Sequence, residues 1–166
     1  CNAKDGLGSC DIYFSKKIGD HWSPPINMGV PINSKYWESQ PSISADGKSL
    51  YFASNRKGGS GKKDIWVSHL TNTGAFGDPI NLGTEINTRG EEQCPFIHPD
   101  GQTLYFSSDG HIGLGDADIF YSRINEKGIW SKPINLGYPI NTINNENSMI
   151  VSSNGQRAYF SSDRED

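Results

Sequence analysis

The chain repeats itself every 54 residues, and no other feature restricts its fold so far. Leu50-Tyr51-Phe52 recurs as Leu104-Tyr105-Phe106 and as Ala158-Tyr159-Phe160, and Asp46-Gly47 returns as Asp100-Gly101 and Asn154-Gly155. Pro25, Pro79 and Pro133 each open a "PIN" triplet. The pairs Ile32-Asn33, Ile86-Asn87 and Ile140-Asn141 keep the same interval, as do Glu38, Glu92 and Glu146. Asp11, Asp64 and Asp118 open "DIYFS", "DIWVS" and "DIFYS", with the first loop one residue shorter. A unit that recurs in register at this length is one supersecondary element, which buries its apolar face by stacking on its neighbours.

Each copy reads as four strands. "QPSIS" and "SLYFAS" flank an Asp-Gly turn, a hairpin signal, and form strands A and B. "DIWVSHL" is strand C, and "DPINLG" a shorter strand D whose leading proline suits an outer edge, where a missing N–H breaks no ladder bond. In B and C the apolar residues run almost continuously, so both faces of the sheet are covered. Helical spacing is absent. Four antiparallel strands per repeat, stacked face to face, describe all-β β-propeller blades. On this reading small side chains of strand A, such as Ser42 and Ser44, lie near the axis. Trp66, Phe106 and Tyr159 fill the wider gaps further out.

The blade sequences "QPSISADGKSLYFASNRKGGSGKKDIWVS" and "QCPFIHPDGQTLYFSSDGHIGLGDADIFYS" resemble the WD40-like repeats of TolB-type propellers. With their "W-S-x-P-x-N-L-G-x-x-I-N-T" tails they are similar, more narrowly, to blades of Bacteroidetes OmpA-family envelope proteins, including PorE-like proteins of type IX secretion. The resemblance covers the whole chain. It implies a non-enzymatic, protein-binding scaffold, periplasmic or outer-membrane associated, with an envelope protein as partner. The competing class is a propeller attached to a glycan-processing or peptidase enzyme, gating or positioning its substrate. A deep axial pocket ringed by acidic or aromatic residues would favour the second, and a narrow, filled axis the first.

The phase of the repeat divides the chain unevenly. Residues 1–40 read as the second half of a blade (C, D), 41–94 and 95–148 as whole blades, and 149–166 as a first half (A, B). Three repeat lengths are too few for the usual ring of four to eight blades. The chain is therefore expected to be part of a larger propeller, or one half of a six-bladed homodimer completed by half-blade exchange. Cys1 and Cys10 flank a B-to-C loop at a separation that a disulfide can bridge, and are expected to pair in an oxidising compartment. The register sets Cys1 at the end of a strand, which argues against a lipid-bearing role. Cys94 is expected to be a small buried apolar residue.

Net charge is −4 and 34% of residues are hydrophobic. Neither a dense basic face for nucleic acid nor a run of eighteen apolar residues for a membrane span is present. Lys16-Lys17 and Lys62-Lys63 read as solvated loop ends. "GGSGKKDIWVS" lacks the first glycine of a phosphate-binding loop and leads into a strand, so Gly59, Gly61 and Asp64 read as a tight B-to-C turn. His21, His69, His98 and His111 stand at non-equivalent positions without zinc spacing, and no cofactor is expected. Asp109, Asp116 and Asp118 frame a glycine-rich loop and raise a calcium site. The recurrence of Asp118 as Asp11 and Asp64 favours a brace at the start of strand C.

Asn33, Glu38, Asn87, Glu92, Asn141 and Glu146 fall once per repeat in the D-to-A connection. A ring of carboxylates around an axis is one reading, and satisfaction of backbone donors in the crossing loop is the favoured one. Tyr36 and Trp37 break the pattern, being replaced by Gly90-Glu91 and Asn144-Asn145. Aromatics peculiar to one repeat are candidates for a partner contact or for packing.

Overall fold

The computed structural model describes residues 4–164, which contain strands and turns and no helix. The first repeat supplies β1 (Tyr13–Phe14), β2 (Lys17–Ile18), β3 (His21–Trp22) and β4 (Ile26–Asn27). Then follow β5 (Glu38–Ile43), β6 (Ser49–Ser54), β7 (Asp64–His69) and β8 (Ile80–Asn81). The next unit is β9 (Glu92–Ile97), β10 (Thr103–Ser108), β11 (Asp118–Arg123) and β12 (Ile134–Asn135), and the last is β13 (Glu146–Val151) and β14 (Ala158–Ser162). β5-β6-β7-β8 and β9-β10-β11-β12 are four-stranded antiparallel sheets in chain order; β1-β4, β2-β3 and β13-β14 are two-stranded. These are propeller blades, with β5, β9 and β13 innermost and β9 packed between the other two.

The continuous apolar runs have the burial they call for. Leu50, Tyr51, Phe52 and Ala53 of β6 and Ile65, Trp66 and Val67 of β7 are all buried. Between the two complete sheets Tyr51, Ile65, Val67, Leu104, Phe106, Phe120 and Trp130 form one cluster, in which Trp130 meets Tyr51 edge-on at 6.3 Å between ring centroids. Phe106 thus fills inter-sheet space as expected, and Trp66 does so on the other side of its sheet, in a cluster with Ile12, Ile32, Leu50 and Phe52. Tyr159 does not: it is 61% exposed on β14, where no following strand covers it. Beside β1, the space corresponding to the Tyr51–Trp130 contact is an apolar groove of about 630 Å³ lined by Ile12, Phe14, Met28, Leu50 and Phe76.

The inner strands differ from the sequence expectation in two ways. They begin at Glu38, Glu92 and Glu146, so these glutamates are the first residues of strands and not members of the connection. Each inner strand also carries a bulge. Register shifts between Ser39 and Ser42, opposite Tyr105 to Ser107, and between Asn147 and Ile150. Within it Gln40, Cys94 and Ser148 take left-handed φ of 56°, 51° and 56°. An extra residue in one strand bends it locally, and the left-handed turn re-aims its side chain. Cys94 accordingly lies inside β9 and is half-buried, not fully buried.

The connections sort onto two faces. D-to-A connections and B-to-C turns lie on one, A-to-B and C-to-D turns on the other, because successive strands of each sheet alternate in direction. The first face carries every candidate residue of the D-to-A connection.

Candidate functional site

Asn33, Asn87 and Asn141 are buried and do identical work in the three repeats. Asn87 Oδ1 accepts the N–H of Ile65 at 2.8 Å and Nδ2 donates to the Ile65 carbonyl at 3.0 Å; Asn33 holds Ile12 and Asn141 holds Ile119 in the same way. Nδ2 also donates to Asn27, Asn81 or Asn135, whose own Nδ2 donates to the carboxylate of Asp11, Asp64 or Asp118. Those aspartates accept backbone N–H groups of the preceding turn, Gly8, Gly61 and Leu114 among them. The chain of bonds runs from turn to strand to connection and leaves few polar groups for a ligand. Asp118 Oδ1 is buried without a hydrogen-bond partner, where the matching Asp64 Oδ1 takes the Gly61 N–H. Among the described residues no three Asp, Glu, His or Cys side chains converge on a metal-sized point: Asp109 and Asp116 line one cleft, and Asp118 is not among its lining residues.

Glu38, Glu92 and Glu146 are fully buried. Each accepts from the backbone N–H and hydroxyl of the residue four positions before it (Ser34, Thr88, Thr142), and from the hydroxyl of Ser54, Ser108 or Ser162 opposite. Two of the three also have a cation. Arg56 lies 3.2 Å from Glu38 and Arg164 3.4 Å from Glu146. Both guanidiniums donate to the carbonyls of the connection (Ile32 and Ile140) and lie over aromatic faces, Phe52 and Trp66 for Arg56 and Phe160 for Arg164. The middle repeat has Gly110 at that position. His111 fills the gap, with Nε2 2.8 Å from the Ile86 carbonyl and the ring against Phe106 and Phe120. Burial pushes Glu92 above its ordinary 4.5 despite the bonds from Thr88 and Ser108. At Glu146 burial also raises the carboxyl, but Thr142, Ser162 and Arg164 together bring it below 4.5.

The remaining histidines are scattered: His21 is exposed on β3, His69 Nδ1 is 3.0 Å from Ser49 Oγ, and His98 is 3.4 Å from Asp100. Tyr36 and Trp37 are half-buried on the D-to-A face, and each lies under an ammonium, Lys35 at 5.5 Å from the Tyr36 ring and Lys63 at 5.0 Å from that of Trp37. Lys63 is therefore not a solvated loop end, since it also pairs with Glu91 at 2.9 Å. The expected Cys1–Cys10 disulfide involves Cys1, which lies outside the described residues; Cys94 is free. No helix of the described residues is long and apolar enough to cross a membrane.

The bulges define the axial groove that sequence reasoning missed. It measures about 270 Å³ and is lined by Gln40, Pro41, Cys94, Pro95, Ser148 and Met149, with no carboxylate. Neighbouring blades are tied there by Cys94 N–H to Gln40 Oε1 (3.0 Å) and by the Ser148 hydroxyl to Cys94 Sγ (3.2 Å). The 54-residue spacing of positions 40, 94 and 148 was readable, but their dissimilar side chains hid that one backbone geometry is shared.

No protein-family model matches the sequence, and no curated protein does. Solved structures do. TolB from Acinetobacter baumannii superposes with a TM-score of 0.55 at 19% identity, over 82% of this chain and 29% of that one. A putative TolB from Agrobacterium tumefaciens gives 0.57 at 20% identity, over 90% of this chain and 49% of that one. The chain thus has the TolB-type propeller fold and spans less than half the length of either structure.

Proposed function

We propose that the chain is a non-enzymatic, protein-binding propeller module of the bacterial cell envelope, periplasmic or outer-membrane associated, serving outer-membrane assembly or type IX secretion in an OmpA-family, PorE-like setting. The observation that carries this reading is the division of labour on the D-to-A face. Residues common to all repeats (Asn33, Asn87, Asn141, Glu38, Glu92, Glu146) are consumed by bonds to the backbone, and the residues left to face outward differ from blade to blade. A rigid frame with variable loops suits recognition of a macromolecular surface. The axial groove is small and holds no carboxylate, which favours this reading over a substrate-gating propeller. The fold of the TolB structures supports an envelope role.

A photo-crosslinking residue at Tyr36 is expected to capture an envelope protein in the native membrane, and one at Leu70 on the opposite face is not. Equal yields from both faces would refute the reading. The apolar groove beside β1 and the exposed Tyr159 mark blade edges that further blades of a larger propeller would cover, or, as the alternative, a second copy of this chain by half-blade exchange in a homodimer. A purely monomeric mass by light scattering would exclude the homodimer.

A further inference from the structure

The repeat supplies an internal template for a site on the D-to-A face. Between the β5–β8 and β9–β12 sheets, Lys63 reaches across the boundary: its ammonium is 2.9 Å from Glu91 Oε2, 3.5 Å from Gln93 Oε1 and 5.0 Å over the Trp37 ring. One repeat later, between β9–β12 and β13–β14, Ala117 stands in place of Lys63. The backbone is the same at both boundaries, a parallel bridge joining Lys63 to Glu91 in one and Ala117 to Asn145 in the other. The volume that the lysine fills at the first boundary is, at the second, an open cleft of about 210 Å³ lined by Glu91, Asp109, Asp116, Ala117, Asn145 and Asn147.

Of the other replacements around the cleft three add a carboxylate, and one, Glu91 to Asn145, removes the carboxylate that pairs with Lys63 at the first boundary. Trp37 gives way to Glu91, Asn55 to Asp109 and Lys62 to Asp116. Loss of the resident cation is thus accompanied by a net gain of two carboxylates, and with Glu91 already paired to Lys63 it is Asp109 and Asp116 that favour a cation arriving from outside. Asn145 Nδ2 is bonded to Asp163 Oδ2 at 2.9 Å, which leaves the carbonyl end of its amide for an incoming donor. A metal ion suits the cleft poorly, because no three such ligands converge among the described residues. Acceptors spread over one boundary match instead the three rotatable donors and the slender stem of a lysine, the side chain that the equivalent volume already holds.

We infer that the cleft between Ala117 and Asn145 receives a lysine side chain from a protein partner. This deepens the protein-binding reading and rests on it. The test is an NMR titration of the 166-residue chain with acetyl-Gly-Lys-Gly-amide, with the norleucine peptide as its uncharged isostere. The lysine peptide is expected to move the side-chain amide signals of Asn145 and Asn147, and the norleucine peptide to leave them in place. Ala117→Lys, which furnishes its own lysine at high effective concentration, is expected to weaken binding at least about tenfold. Asp116→Asn, an exposed substitution that spares the fold, is expected to weaken it about threefold. Absence of shifts, equal shifts with norleucine, or unchanged affinity in both variants would overturn the assignment. A cleft that ignores the lysine peptide while Tyr36 still cross-links overturns the cleft alone. Lysine binding without any face-specific cross-link overturns the envelope reading alone.

Discussion

Asn87 lies along the backbone of Ile65 as a paired strand would, accepting its N–H at 2.8 Å and donating to its carbonyl at 3.0 Å, with both residues fully buried. Replacing Asn87 by alanine strands two buried backbone groups at once. The expected cost is about 2 kcal/mol or more, since each unmet buried group costs about 1–3 kcal/mol. Urea melts of Asn87→Ala against the exposed control Asn125→Ala check it.

Glu92 and Glu146 hold the same place in successive repeats and are shifted in opposite directions from 4.5. The raised Glu92 contributes stability that is fully present below its unfolded value and lost as pH rises through its folded one. The lowered Glu146 contributes stability that is present above its unfolded value and lost as pH falls through its folded one. Across the range from about pH 3 to about pH 7, Glu92→Gln should therefore gain on the wild type as pH rises above 4.5, and Glu146→Gln should lose ground as pH rises towards 4.5 from below. Chemical denaturation at both ends of the range reads the two slopes.

Gly61 is needed for close approach. A Cβ there would stand 2.5 Å from the carbonyl oxygens of both Thr88 and Gly90, in the connection leading to the next blade. Gly61→Ala is expected to cost about 1–3 kcal/mol by overpacking. Gly115→Ala, which meets the carbonyls of Thr142 and Asn144, should behave alike in thermal melts.

Ser148 holds a left-handed φ of 56° that glycine adopts without strain. Ser148→Gly should match or exceed wild-type stability by up to about 1 kcal/mol, and Ser148→Val should fall below it by at least about 1 kcal/mol. A calorimetric ranking with valine at or above serine would show that the bulge is not left-handed in solution.

The fold was legible because its determinants are local and repeated. The Asp-Gly turn, the apolar runs of β6 and β7 and the proline before β8 each announce their element, and the same interval three times over announces the stacking. Asn33, Asn87 and Asn141 were visible for the same reason, since one backbone need calls for one side chain. The misreadings fall where contact depends on the neighbouring blade. Nothing local tells Lys63 from Lys62, yet Lys63 alone pairs with Glu91, 28 positions on. Gln40, Cys94 and Ser148 share a bulge without sharing chemistry. His111 takes over from arginine one position late, with glycine in the arginine's own place.

Polar residues common to the repeats belong to the frame, and recognition is left to those that vary. Native-state hydrogen exchange at the Ile65 amide tests that division most directly. In the wild type the amide is expected to exchange only through global unfolding, and in Asn87→Ala its protection is expected to fall at least about a hundredfold below that of Phe52. Fast exchange at Ile65 in the wild type, or a protection relative to Phe52 unchanged by the substitution, would contradict it.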